Sequence, residues 1–246
     1  MNLTNLITDN VTNMEYMFYQ CWSLKELNLS NFDTSSVINM NYMFSHCDKI
    51  KFIDASSFNT TNVEKMQDLF SYNEKMITVD VSSFDTSNTK NMRALFYWCP
   101  SLKYVNLQNF DTSSTTTISH IFGHGLSLNF LNLKNFIISN DIDVSTFEET
   151  FLYIPNSAKY CLEDQQTINS LIPGKISECS DPCFQENMKF DIELNICKES
   201  CDEGQYELKN DCYDENPDNT KGFYKDYDNI RSEEHTSELQ SPDHLV

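Results

Sequence analysis

Phenylalanine returns every 26 residues in two parallel series: Phe18, Phe44, Phe70, Phe96 and Phe122, and Phe32, Phe58, Phe84, Phe110 and Phe136. Five copies without an insertion or deletion restrict the chain to one kind of answer. A fixed period of this size predicts a solenoid, one supersecondary unit per turn, each packing on its neighbours. Such folds present an extended surface and seldom carry chemistry, so binding is expected ahead of catalysis.

Other columns keep the same step. Leu24, Ile50, Met76, Leu102 and Leu128 form one; Leu27, Ile53, Val79, Val105 and Leu131 a second; Leu29, Ala55, Val81, Leu107 and Leu133 a third. Each unit thus reads L-x-x-L-x-L, and its last three residues alternate in, out, in, the spacing of a short strand with one buried face. The other half of the unit changes period. Val37, Met40, Met43 and Phe44 stand at i, i+3, i+6 and i+7, which predicts a short helix. Asp33-Thr34-Ser35-Ser36 before it is expected to cap that helix. The expected fold class is therefore an α/β repeat solenoid, with one short strand and one short helix per turn, followed by a small cysteine-rich module.

These residues carry a resemblance. L-x-x-L-x-L looks like the strand of a leucine-rich repeat, and the whole unit at residues 31–54 is similar to the 26-residue repeat of the BspA-like (DUF285-like) group of bacterial and protist surface proteins. The likeness spans about residues 1–136. It departs from an ordinary leucine-rich repeat where the usual Asn after the strand is replaced by Phe32, Phe58, Phe84 or Phe110, so stacked rings are expected in place of an asparagine ladder. The resemblance implies a surface or secreted protein.

The chain is expected to divide into a solenoid at 1–136, a degenerate repeat and cap at 137–176, a cysteine-rich module at 177–230, and a translated sequencing adapter at 231–246. Met1 falls inside a repeat, so further residues are expected upstream. The formal charge is −20; setting aside the one basic and four acidic residues of 231–246 leaves −17. An acidic chain repels nucleic acid and anionic membranes, and no segment approaches the ~18 apolar residues of a membrane span. Any membrane attachment is expected to come from a separate anchor.

Past 176 the pattern becomes C-x3-C-x13-C-x3-C-x10-C over Cys179, Cys183, Cys197, Cys201 and Cys212, and residues 161–230 carry net −11. A stretch this acidic and poor in apolar periodicity needs staples. Disulfides among Cys179, Cys183, Cys197, Cys201, Cys212 and Cys161 are one reading; four thiolates on one zinc ion are the other. The segment resembles EGF- or growth-factor-receptor-like modules. There a further Cys is expected where this chain has Asn216, and Cys212 is expected to pair beyond the chain or with Cys161. Cys21, Cys47 and Cys99 share one solenoid column with Asn73 and Gly125, and read as small buried side chains.

The expected ligand face is the outward side of the strands: Phe52, Tyr104 and Phe130, beside Asp54 and Asp80, with Lys51 and Lys103 flanking. Exposed aromatics next to hydrogen-bonding groups suit a protein or glycan ligand on a host, matrix or neighbouring cell. The structural alternative is cross-strand packing. His46, His120 and His124 have no partner at triad spacing. There is no phosphate loop and no metalloprotease motif. No catalytic residue, metal or cofactor is expected. Sequons at Asn2, Asn10, Asn28 and Asn59 are compatible with secretion. The alternative function is an intracellular interaction scaffold with a zinc-binding tail.

Overall fold

The computed structural model describes residues 3, 6–136, 142, 147–163, 179, 189–191, 196–198, 206–208 and 211–213. The expectations for Cys183, Cys201, Asn216, most of 137–176 and the segment 231–246 lie outside the described residues. The chain divides into two compact units, Met1–Phe184 and Gln185–Val246.

The first unit is built from parallel strands of three residues, one in each repeat from Phe52 onward; the equivalent residues 26–28 form no strand. β1 (Phe52–Asp54) pairs with β2 (Thr78–Asp80) in the register Phe52↔Thr78, Ile53↔Val79 and Asp54↔Asp80. β3 (Tyr104–Asn106) pairs with β4 (Phe130–Asn132), whose far side pairs with β5 (Lys159–Cys161). The Lys103 N–H donates to the Ile77 carbonyl at 2.9 Å, linking β2 to β3. In the second unit, β6 (Lys189–Asp191), β7 (Ile196–Lys198), β8 (Tyr206–Leu208) and β9 (Asp211–Tyr213) form one sheet in the order β7-β6-β9-β8. Its β6–β9 pairing is parallel and the other two antiparallel.

The helix expected in each repeat does not form. Among the described residues the one helix is α1 (Phe147–Thr150), and the fold is mostly strand and turn. The reason lies in where the backbone bonds go. In residues 14–20, alternate N–H groups donate to the next repeat: Met14 to Asn39 O, Tyr16 to Asn41 O, Phe18 to Met43 O and Gln20 to Ser45 O, at 2.9–3.1 Å. The intervening groups close tight turns, Met17 to Met14 O and Tyr19 to Tyr16 O. A helix would have spent every N–H on its own i−4 carbonyl. The alternation needs a left-handed residue twice per repeat, and φ is positive at Tyr16 and Gln20, Tyr42 and His46, Asp68 and Tyr72, Ala94 and Trp98, and His120 and His124. The apolar face read as helical is still buried: Val37, Met40, Met43 and Phe44 are all at 0% exposure. An i, i+3, i+6, i+7 spacing reports one-sided burial, which this turn ladder satisfies as well as a helix does.

The predicted cap residues hold turns and not helix ends. The Asp33 carboxylate accepts the Ser35 N–H at 2.9 Å, and Asn59, Asp85 and Asp111 repeat the arrangement, which is an Asx-turn. The buried threonine beside each bridges two repeats. Thr34 Oγ1 donates to Asn59 O at 2.9 Å and accepts the Asn59 N–H at 2.8 Å; Thr60 does the same to Asp85.

Both phenylalanine series stack. Phe18, Phe44, Phe70, Phe96 and Phe122 lie with ring centroids 5.5–5.8 Å apart and planes within 6° of parallel. Phe32, Phe58, Phe84 and Phe110 stack at 6.2–6.4 Å. A stack of rings with apolar columns on either side forms one continuous core.

Candidate functional site

The outward strand face expected to hold a ligand is not open. Phe52, Tyr104 and Phe130 retain only 7%, 8% and 7% of their surface, so the exposed-aromatic expectation is corrected to a packed row. Phe130 also lies under the Lys159 ammonium, 5.6 Å from the ring centroid. The parallel register sets Phe52 beside Thr78 and Tyr104 beside Phe130. Asp54 and Asp80 are engaged locally: each carboxylate accepts a backbone N–H two residues on, from Ser56 and Ser82, at 2.9 Å. Asn28, Asn106 and Asn132 repeat this turn, which explains why Asp and Asn share the column. Lys51 is exposed and Lys103 half-buried.

The cysteine column is structural. Cys21, Cys47 and Cys99 are free thiols. Cys47 Sγ donates to Phe18 O at 3.3 Å and Cys99 Sγ to Phe70 O at 3.1 Å. Burial pushes both thiols up to about 12, which keeps them protonated and unreactive. Asn73 fills the same place with more bonds. It accepts the Cys47 N–H at 2.8 Å and donates to Phe44 O and Phe70 O at 3.0 and 2.8 Å.

Cys161 is bonded to Cys179. This corrects the pairing of Cys161 with Cys212, and removes Cys179 from any four-thiolate zinc set. Among the described residues no group of His, Cys, Asp and Glu is arranged to hold a metal ion, and no helix is long and apolar enough to cross a membrane.

A surface that sequence reading missed comes from the left-handed positions. His46 stacks on Tyr72 at 4.4 Å and Tyr72 on Trp98 at 6.3 Å; Trp98 then meets His124 at 4.2 Å and His124 meets Tyr153 at 4.5 Å, with planes tilted by 36° and 39°. Rings set nearly perpendicular stand against this ladder. Tyr19 meets His46 at 87°, and Tyr97 meets Tyr72 at 79° and His124 at 89°. Gly123 makes room for Tyr97, since a Cβ there would come within 2.9 Å of the Tyr97 ring. Tyr16 stacks on Tyr42 at 4.9 Å one position over.

The strip is partly open to solvent, with His46, Tyr72 and His124 half-buried and Trp98 and Tyr153 exposed. Of ten exposed large apolar side chains among the described residues, Trp98 and Tyr153 are ladder members, and Trp22, Leu126 and Leu152 stand within two residues of a ladder column in sequence. Trp98 and Tyr153 keep 41% and 59% of their surface. A shallow hollow lined by Gln20, Cys21, Trp22, Ser23 and Leu24 lies at its first repeat. Polar groups are fixed along one side. Buried Asp68 takes Arg93 Nη1 at 3.6 Å and Gln67 Nε2 at 3.2 Å, and Gln67 Nε2 also donates to the Tyr42 hydroxyl at 2.6 Å. Burial, then the Asp68 charge, holds the Tyr42 phenol above its ordinary range. His120 pairs with Glu149 at 3.3 Å. Burial, then His120, lowers His124 below the ordinary imidazole value. The sequence signal was present but unread: the register that aligns the phenylalanines also aligns Gln20, His46, Tyr72, Trp98 and His124.

The family model described as "Mycoplasma protein of unknown function, DUF285" matches residues 1–103 and 71–172. The chain belongs to the DUF285 family. No curated protein and no solved structure matches it significantly. The matched residues of this DUF285 chain hold the whole ring ladder and both phenylalanine stacks, so the strip is carried by the repeat region itself.

Proposed function

We propose that this chain is a non-enzymatic binding or adhesion protein of the cell surface or extracellular space, built as a repeat solenoid, with the ring ladder as its recognition surface. The observation that carries the reading is the continuous run of aromatic rings along one strip, two of them, Trp98 and Tyr153, exposed. Monomeric proteins keep large contiguous apolar patches covered, and tyrosine, tryptophan and arginine dominate the energetic centres of protein interfaces. Stacking fixes the rings in advance, so little side-chain entropy is lost on binding.

The stapled Cys161–Cys179 pair supports an oxidising compartment. The cysteine-rich segment after it is read as an EGF- or growth-factor-receptor-like module that links the solenoid to whatever follows. The partner is a protein or glycan on a host, matrix or neighbouring cell.

The test is an array of extracellular proteins and glycans probed with the full chain and with a Tyr72→Ala/Trp98→Ala double variant. The expected result is ligand capture by the parent and its loss in the variant, with folding checked by circular dichroism. A variant that captures the same ligands with the same strength removes the strip from the function.

A further inference from the structure

We infer that the ring ladder takes a basic, proline-rich polypeptide segment in the polyproline II conformation; this rests on the strip being the binding surface. Three observations on the molecule point to that occupant.

The first is spacing. Repeats of this chain stack strand on strand, so successive rungs follow at about 4.8 Å and every second rung at about 9.6 Å. Polyproline II advances about 3.1 Å per residue with three residues per turn, so its repeat is about 9.3 Å. The ladder centroids, 4.4, 6.3, 4.2 and 4.5 Å apart, average close to the rung step of about 4.8 Å, so a segment lying along the ladder would place about every third residue over every second rung. A β-strand repeats its side chains every 6.6 Å or so and drifts out of phase with the same rungs.

The second is the chemistry on offer. Neighbouring rings of the ladder cover part of one another's faces, at 4.2–4.5 Å for three of the four contacts, two of these tilted by 36–39°. Ring edges remain, together with the Tyr hydroxyls, the Trp98 indole N–H and the imidazole nitrogens. The perpendicular rings of Tyr19 and Tyr97 add crevices between them. Proline rings fill such crevices, and polyproline II carbonyls, free of internal hydrogen bonds, accept from edge donors.

The third is charge. Asp48 and Glu74 stand two residues after ladder members His46 and Tyr72, in equivalent positions of adjacent repeats. Asp48 Oδ1 is buried without a hydrogen-bond partner. Burial, then the neighbouring Glu74 charge, holds the Asp48 carboxyl above its ordinary value, a strain that an incoming cation relieves. Lys49 and Lys75 follow them in the chain, but no ion pair ties either to these carboxylates. Residues 1–160 carry net −6, so the field around the repeats favours a basic partner.

The test titrates the full chain with three synthetic probes, followed by calorimetry and by Trp98 fluorescence. They are a peptide of Arg-Pro-Pro repeats, its Glu-Pro-Pro counterpart, and an Arg-Gly-Gly peptide of equal length and charge. The expected result is that Arg-Pro-Pro binds about tenfold or more tighter than either control. Asp48→Asn/Glu74→Gln should erase the arginine preference, and Trp98→Ala should erase the proline preference while Trp98→Phe retains most of it. Equal binding of Arg-Gly-Gly, or indifference to Asp48→Asn/Glu74→Gln, overturns the inference. If ladder variants lose a different ligand on the array, the occupant is wrong and the binding surface stands. If they lose nothing on the array and nothing here, both fall.

Discussion

At the scale of single residues, the ladder is paid for in backbone strain. A bulky L-residue with positive φ costs roughly 1–2 kcal/mol, and Trp98 sits at φ 56. Its stacking on Tyr72 and His124 offsets that cost, at about 0.5–1.5 kcal/mol per aromatic contact. Once the ring is gone only the strain is left. Trp98→Gly should therefore be more stable than Trp98→Ala by about 1 kcal/mol, the reverse of the order in ordinary strand or helix. Urea denaturation of both variants decides it, and an Ala variant equal to or above Gly would show the left-handed position is not strained. Buried thiols give a second residue-scale prediction. Cys47 and Cys99 sit at about 12 in the fold against 9.0 for the free group. The folded value is raised, so the stability they confer is whole below pH 9 and drains as pH rises from 9 toward 12. Each thiol should cost roughly 1 kcal/mol of stability by pH 10. A Cys47→Ala/Cys99→Ala variant, though less stable at pH 7, should show a flatter decline across that window. Parallel declines would place the alkaline sensitivity elsewhere, Tyr160 being next, since burial lifts its phenol to about 12.

At the scale of elements, the repeat behaves as a set of ladders, and a rung's worth depends on its neighbours. Phe70 stacks on Phe44 and Phe96 and is wholly buried; Phe18 stacks on Phe44 alone within its series. Phe70→Ala should cost about 3–5 kcal/mol, as buried Phe truncations do, and Phe18→Ala markedly less. Chemical denaturation of the two variants measures the difference, and equal losses would mean that burial at each rung, and not stacking along the series, sets the energy. The ladders also show what sequence could and could not tell. Column membership was legible, because a 26-residue step forces identical residues into line: both phenylalanine series stack as their spacing requires. Secondary structure was not. Residues 37–44 have helical spacing, but spacing measures which side is buried and says nothing of where N–H groups point. The parallel neighbour, invisible to a local window, captures every second donor and replaces the helix with turns. The strand face was misread for a related reason. Alternation separates the two sides of a strand, but it does not make the second side exposed, and Phe52, Tyr104 and Phe130 are buried. The exposed strip lay just past the residues read as helix, in a column that the 26-residue step aligns as it does the phenylalanines, but whose members differ in identity from repeat to repeat.

At the scale of the whole molecule, stability in a stack of repeats is a sum over neighbouring contacts, so its ends are its weak points. β5 is the last strand of the described sheet, and it pairs on one side with β4. Cys161 ends β5, and its bond to Cys179 closes a loop across a sequence separation of 18. Constraining a loop of that size in the unfolded chain is worth about 3 kcal/mol in the chain-entropy account. Reduction, or a Cys161→Ser/Cys179→Ser variant, should therefore loosen the C-terminal repeats first. Hydrogen exchange should show amides of β5 and β4 losing protection while those of residues 40–46, deep in the stack, keep theirs. A metal chelator should leave the same amides unchanged, since Cys179 is already committed to sulfur. Loss of protection with chelator and none with reductant would reverse the assignment, returning Cys179 to a zinc set and the chain to a reducing compartment. Uniform loss along the whole stack on reduction would instead mean that the repeats unfold as one cooperative unit, with the staple setting the stability of all of them.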